Sequence, residues 1–388
     1  MDGRRSLVPM VAVVVLLGCA DSMTGTYLVL FASEEAGLSP LRTGVFMSAV
    51  ALGGLVFSAL FGRAFDRSPG RRWTAIAAGA GAIGFGLLPG VSDFAVLILL
   101  ALSLLGVSGA GYPQVFALAD VRFIGRFKQR AAPLLRSGWS LAWAIGPLLG
   151  AWVLATSGYD GLFRASAVAL LLTVAAVFVV PRPGPRPDVP PGGKPAADGS
   201  VGRSAIVLLA ASMMLVHTAM FAGSVALPLF VTDELHRSGS AVGVLFSACA
   251  VVEIVAALAL VWLLPRLHRR LLILIGIGLF VVYFLLIVPA QGLVLLLIGQ
   301  LARGTAIAVI GTAGIQHFQA VLAPASGAGA ALFSNSATAG SLVSGVLAGG
   351  LIELAGTRVT LAVCGGLALL AAVAFCGAVR LPGGRDTG

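Results

Sequence analysis

Two carboxylates stand where charge is expensive: Asp21 and Glu253 each lie near the middle of a long apolar run. An ionisable group in hydrocarbon needs a partner or a task. Glu253 suits a carboxyl that alternates between holding a proton and touching a ligand, the role of a group poised for proton exchange. Its other reading is a structural pair with Arg303, at similar depth two runs later. Asp21 either makes a hydrogen bond between helices or meets a proton or a ligand.

Around these acids are side chains suited to a hydroxylated ligand. Arg136, Asn335, Gln114, Arg303, Gln316 and Gln319 offer hydrogen-bond donors, and the amides accept as well. Trp139 and Trp143, four residues apart on one helix face, present rings that stack on sugar C–H surfaces or simply fill helix interfaces. Arg136 has a second reading as a structural lock with Asp21 or Gln114. Gln316 and Gln319 sit near the end of their run, where surface hydration competes. His217 and His317 are read as satisfied packing residues before proton relays.

These groups need elements to hold them, and composition says which. Hydrophobic residues make up 59% of the 388, with 10% charged and a mean hydropathy of +1.03. Soluble domains stop near ~45–50% apolar, so most side chains here must face lipid. Twelve apolar runs are long enough to cross a bilayer: 7–31, 42–61, 73–91, 94–118, 132–156, 161–181, 205–231, 240–264, 271–289, 291–318, 328–354 and 358–379. Lacking strand alternation, they predict helices, so the expected class is an all-α membrane protein. The first run contains Asp21 and is too long for a cleaved leader. Cys19, Cys249, Cys364 and Cys376 all fall in apolar runs and read as core residues.

Charge sets the expected orientation. Of 25 Lys and Arg, 19 fall in segments on the side of the N-terminus, which predicts a multi-pass cell-membrane protein with both termini cytoplasmic. The net charge of +10 then reflects topology and anionic lipid, and excludes a nucleic-acid partner for want of a basic soluble domain.

The chain also repeats itself. Leu28–Ala51 (LVLFASEEAGLSPLRTGVFMSAVA) and Leu227–Ala250 (LPLFVTDELHRSGSAVGVLFSACA) align without a gap at an offset of 199, with 10 of 24 positions identical. That offset pairs Arg136 with Asn335, Asp21 with Met220 and Glu253 with Gly54. Between the copies, Pro181–Ser200 has seven prolines in its first fifteen residues and reads as a semi-rigid linker. The expected organisation is a six-helix bundle over 1–181, a linker over 182–203 and a second bundle over 204–388. Paired six-helix halves are the architecture of rocker-type secondary transporters.

GRAFDRSPGRR (Gly62–Arg72), between the second and third runs, resembles the Gly-x-x-x-Asp-Arg/Lys-x-Gly-x-x-Arg/Lys signature of the major facilitator superfamily, with one extra residue before Gly70. The resemblance implies a gating latch formed by Gly62, Asp66, Arg67, Gly70, Arg71 and Arg72. Gly62 is expected to allow close helix approach and Gly70 a tight reversal. Asp66 is expected to meet Arg122, Arg126 or the start of the eleventh helix near Pro324–Gly327. PRLHRR (Pro265–Arg270) is the matching loop, without the acid.

The strings YPQVFALAD (Tyr112–Asp120), RSGWSLAWAIGPLLG (Arg136–Gly150), HFQAVLAP (His317–Pro324) and GAALFSNSATAG (Gly329–Gly340) resemble those of bacterial sugar efflux transporters within that superfamily. What this implies is export of small sugars or glycosides by a monomer, driven by the proton gradient with no bound cofactor. Ala142, Gly146, Pro147, Gly150 and Ala151 resemble the Gly-Pro element of antiporters, which favours export. A drug or metabolite exporter of the same fold and a non-cycling membrane sensor are the alternatives. No H-E-x-x-H, G-x-S-x-G or P-loop is present, so an enzyme is not expected.

Overall fold

The computed structural model describes residues 2–123, 126–181, 202–263, 266–323 and 326–381. Of the linker expected over 182–203, residues 182–201 therefore lie outside the described residues. Within them the chain is helical, and ten helical runs are long and apolar enough to cross a membrane.

Two of those ten hold two helices each. Arg126–Val179 leaves helical geometry at Gly158 (φ +64°), and Ser326–Arg380 does so at Gly356 (φ +84°). Positive φ is where glycine is needed, because a Cβ would clash with the backbone. Split there, the described residues give twelve long helices. They are α1 Asp2–Leu30, α2 Pro40–Arg67, α3 Arg72–Leu87, α4 Phe94–Arg122, α5 126–157 and α6 159–179. The second set is α7 Arg203–Leu229, α8 Gly239–Leu263, α9 Arg269–Ile287, α10 Leu293–Val321, α11 326–355 and α12 357–380.

Local chemistry marks the helix starts. Ser39 accepts from the Arg42 N–H at 3.4 Å, and Pro40 occupies the first helical turn of α2, where a missing N–H costs nothing. Asp93 caps α4 by accepting from the Val96 N–H at 3.0 Å. The helices carry apolar side chains outward as well as inward: Trp152 is 67% and Trp262 71% exposed. Such a surface is stable only against hydrocarbon.

The chain divides into two units, Met1–Pro190 with Ser238–Ser247, and Pro191–Arg237 with Ala248–Gly388. In the first, α1 packs on α5 through glycines. A Cβ on Gly146 would strike Ser22 Oγ, and one on Gly150 would lie 2.7 Å from the Tyr27 ring. The same contact is sealed by hydrogen bonds, from Ser22 Oγ to the Ala142 carbonyl (3.0 Å) and from the Tyr27 hydroxyl to the Pro147 carbonyl (2.9 Å). The Gly-Pro element thus serves close helix packing, as its residue types predict.

Each unit repeats one detail of the other. Both α1 and α7 end in a π-helical turn, Phe31–Glu35 and Phe230–Glu234, at the offset of 199 found in the sequence. In each, an acid at that turn is clasped by the helix that starts after the glycine kink. The Tyr159 hydroxyl donates to Glu34 at 2.7 Å. Glu234 accepts from Thr357 Oγ1, from Arg358 Nε at 2.7 Å and from the Arg358 N–H at 3.3 Å. Helices α4 and α10 also carry π-turns, Ala101–Leu105 and Ile310–Gly314. Such turns re-aim side chains and recur at functional sites.

Candidate functional site

Polar groups gather inside each unit. In the first, a cavity of about 200 Å³ opens between α1, α3, α4, α5 and α6. Helix α1 contributes Leu17 and Asp21, one turn apart; α4 contributes Ser108 and Tyr112, also one turn apart, with Gly109 between them. Trp139 comes from α5, and Phe85 and Leu170 close the apolar side. The Asp21 side chain is exposed to this space.

The aromatic wall is a corner. The Tyr112 and Trp139 rings have centroids 4.4 Å apart at 58°, and Phe116 backs Tyr112 at 4.7 Å. Arg136 lies within hydrogen-bonding and electrostatic reach of the Tyr112 hydroxyl, one turn below Trp139. On the opposite side Ser108 is pressed against α3, where a Cβ on Gly81 would collide with its Oγ. Behind Ser108, α4 meets α2 backbone to backbone: a Cβ on Gly106 would lie 2.7 Å from Gly53 Cα. The cavity wall is therefore set by main-chain contact and has little freedom to retreat.

In the second unit the polar centre is Arg303 on α10, 4% exposed. It donates to Ser224 Oγ on α7 at 2.6 Å and to Gln300 Oε1 at 3.5 Å, and lies 5.7 Å from the centre of the Tyr283 ring on α9. Glu253 and Cys249 of α8 lie within its electrostatic reach. Helices α8 and α10 can approach because a Cβ on Gly304 would lie only 3.0 Å from the Glu253 nitrogen. A buried guanidinium held this way is fixed in place, while half-buried Glu253 beside it retains access to the outside of the network.

The remaining sequence candidates are dispersed. Gln114 is buried within α4, its Oε1 without a partner among the described residues. Trp143 does not join Trp139 at the cavity; it approaches Gly25, and its Nε1 is buried without a partner among the described residues. Asn335 is exposed on α11, and Gln316 and Gln319 are half-buried on α10. His217 donates from Nδ1 to the Met213 carbonyl at 2.7 Å and packs on Phe333, as a satisfied core residue does. His317 is buried against Phe375.

The signature loop is partly occupied with its own bundle. Arg71 donates to the carbonyls of Phe178 (2.7 Å) and Val180 (2.9 Å), closing the end of α6. Arg72 stacks over Trp73 at 4.7 Å, and Trp73 Nε1 donates to the Ser68 carbonyl at 3.0 Å. Asp66 and Arg67 are exposed. A Cβ on Gly62 or Gly70 would meet nothing within 4 Å, and neither adopts a positive φ. Close approach of α2 thus occurs at Gly53 and not, as expected, at Gly62, and the reversal at Gly70 uses ordinary backbone. Pro324, Ala325, Pro265 and the Arg126 side chain lie outside what the structure describes.

Sequence reading missed Tyr112 and Ser108 as cavity residues, and Ser224, Tyr283 and Gln300 as the Arg303 cradle. Gln300 carried a usable signal, one turn before Arg303 on the same helix face. The others come from separate helices, and no spacing announces them.

The chain matches the family model described as Major Facilitator Superfamily over residues 10–224 and 209–386. It is 34% identical over 381 residues to the "Putative sugar efflux transporter" of Deinococcus radiodurans, covering 95% of this chain and 97% of that one. It is 26% identical to Sugar efflux transporter A of Escherichia coli, over 87% of both chains. Among solved structures, the nucleoside transporter NupG superposes with a TM-score of 0.76 at 17% identity, over 96% of this chain and 99% of that one. A bacterial homologue of the lysosomal transporter Spinster gives 0.75 at 12%, over 96% of both.

Proposed function

Because this chain belongs to the Major Facilitator Superfamily, a family of membrane transporters, we propose that it exports small sugars or glycosides by alternating access, driven by proton antiport. The observation that carries the reading is the Asp21 carboxylate opening into a cavity walled by Tyr112 and Trp139. A sugar presents hydroxyls that a carboxylate accepts from and C–H faces that aromatic rings cover. The cavity, at about 200 Å³, is below the ~300–1,000 Å³ of pockets that enclose drug-sized ligands. Small polar cargo is favoured over amphipathic drugs on that ground. The names of the relatives point the same way.

Coupling belongs to Glu253 in this reading. When Glu253 takes a proton, it stops compensating Arg303, and the guanidinium falls back on Ser224, Gln300 and the Tyr283 ring. When it releases the proton, the pair re-forms. Two charge states with two partner sets are what proton antiport requires of a coupling site. Asp66 acts as a gate latch, and the excess of Lys and Arg on the N-terminal side sets both termini in the cytoplasm.

The test uses the purified chain in liposomes with an imposed pH gradient and labelled glucose, lactose and alkyl glycosides beside two cationic drugs. Gradient-dependent sugar flux supports the reading. Flux of drugs alone would replace sugar by amphipathic cargo, and flux of sugar that ignores the gradient would remove the antiport.

A further inference from the structure

The cavity of the first unit has more structure than a carboxylate and a ring. Helices α1 and α4 each present an i,i+4 pair to it, Leu17 with Asp21 and Ser108 with Tyr112. Each pair places one apolar or aromatic surface a turn away from one small polar group. A pyranose has the same division, with a flat C–H face on one side and hydroxyls around its rim.

We propose that Ser108 and Tyr112 are the specificity-determining residues of a single-pyranose subsite inside the first bundle. The proposal rests on the sugar-export reading and deepens it. Tyr112 and Trp139, 4.4 Å apart and tilted by 58°, form a corner that covers the C–H face of one ring. Arg136 engages the Tyr112 hydroxyl, so that ring is held from outside the cavity. Asp21 accepts from rim hydroxyls on the opposite side. Ser108 supplies a hydroxyl that both donates and accepts, at a depth fixed by Gly81.

Size follows from the same contacts. Ser108 cannot retreat toward α3, because it already lies against Gly81, where an added Cβ would be 2.9 Å from Ser108 Cβ. Neither can the α4 backbone, which lies on Gly53 of α2. A cavity of about 200 Å³ with such a wall accepts one ring, and any second ring of a disaccharide or aryl glycoside stays outside it. Recognition is then of the terminal sugar, with tolerance for what it is attached to.

The experiment measures Kd for labelled methyl glucoside and lactose with the full-length chain in detergent, and flux in liposomes. The variants are Ser108→Ala, Tyr112→Ala, Tyr112→Phe and Gly81→Ala. Tyr112→Ala is expected to weaken both sugars at least tenfold, and Tyr112→Phe, which keeps the ring but frees Arg136, two- to fivefold. Ser108→Ala is expected to weaken both about threefold or more, and the two sugars to change in parallel in every variant. Maleimide labelling of Ser108→Cys is expected to slow when methyl glucoside is added. If the parent exports sugar while Tyr112→Phe and Ser108→Ala keep its Kd and labelling ignores sugar, the subsite is wrong and the export reading stands. If the parent neither binds nor moves any sugar, the export reading falls and takes the subsite with it.

Discussion

Arg303 Nη2 donates a 2.6 Å hydrogen bond to Ser224 Oγ, tying α10 to α7 within the second unit. A charged donor that loses its acceptor in a buried site has no water to turn to. Ser224→Ala is therefore expected to lower stability by about 1–2 kcal/mol. Arg303→Ala is expected to cost more, since it strands Gln300 and Glu253 together. Thermal unfolding in detergent, followed by tryptophan fluorescence, reads both, and an unchanged Tm for Ser224→Ala would make the contact incidental.

Glu253→Gln keeps the shape of the side chain and removes its charge change. The expected outcome is loss of gradient-driven flux with retention of gradient-independent exchange. Paired uptake and counterflow assays in liposomes separate the two. A variant that still concentrates sugar against the gradient sends the coupling role elsewhere, with Asp21 the next carboxylate to test.

Asp66 is exposed at the end of α2, and no partner for it is found among the described residues. Asp66→Asn is expected to slow turnover several-fold with Kd for sugar unchanged, as a group that acts on the cycle and not on the ligand should. Equal kcat in parent and variant would end the latch role.

The two clasps differ in strength. Glu34 holds one hydroxyl, that of Tyr159, whereas Glu234 holds Thr357 and Arg358, and Arg358 also donates to the carbonyl of Val288 at 2.9 Å. Glu234→Gln is expected to destabilise by about 2 kcal/mol, as loss of a charged multi-donor acceptor does. Tyr159→Phe should shift Tm by less than half as much. A larger loss from Tyr159→Phe would reverse the ranking.

Gly81→Ala pushes on Cβ and Oγ of Ser108 and on Leu170 Cδ1, so it should reduce sugar affinity and lower Tm together. The check is Kd together with Tm. A fall in Tm with Kd unchanged would show strain absorbed by the helices and not by the cavity.

Much of the fold was legible in the chain. The 24-residue repeat contains both π-turns, so the offset of 199 already paired them, although the clasped acids sit one position out of register, Glu34 opposite Asp233 and Glu35 opposite Glu234. The nearness of Glu253 to Arg303 followed from equal depth on helices two apart. What stayed hidden came from contacts that only the packed bundle creates. Trp139 and Trp143 share a helix face and both pack on α1, yet only Trp139 lines the cavity, while Trp143 meets Gly25 further along α1. Ser108 looked like any small residue in an apolar run until Gly81 gave it a fixed place. Arg71 read as one residue of the expected latch, since nothing in GRAFDRSPGRR says that α6 ends beside it.

That last contact reaches beyond the loop. The carbonyl of Val180 is held by Arg71, and the proline-rich segment over 182–201 departs just after it. One end of the connector is thus pinned, and the next described stretch begins at Gly202. Twenty residues span at most roughly 60–70 Å. Joining the halves in one chain keeps the local concentration of each high for the other. Two gene-encoded halves are delivered to the bilayer as a stoichiometric pair that need not search for each other.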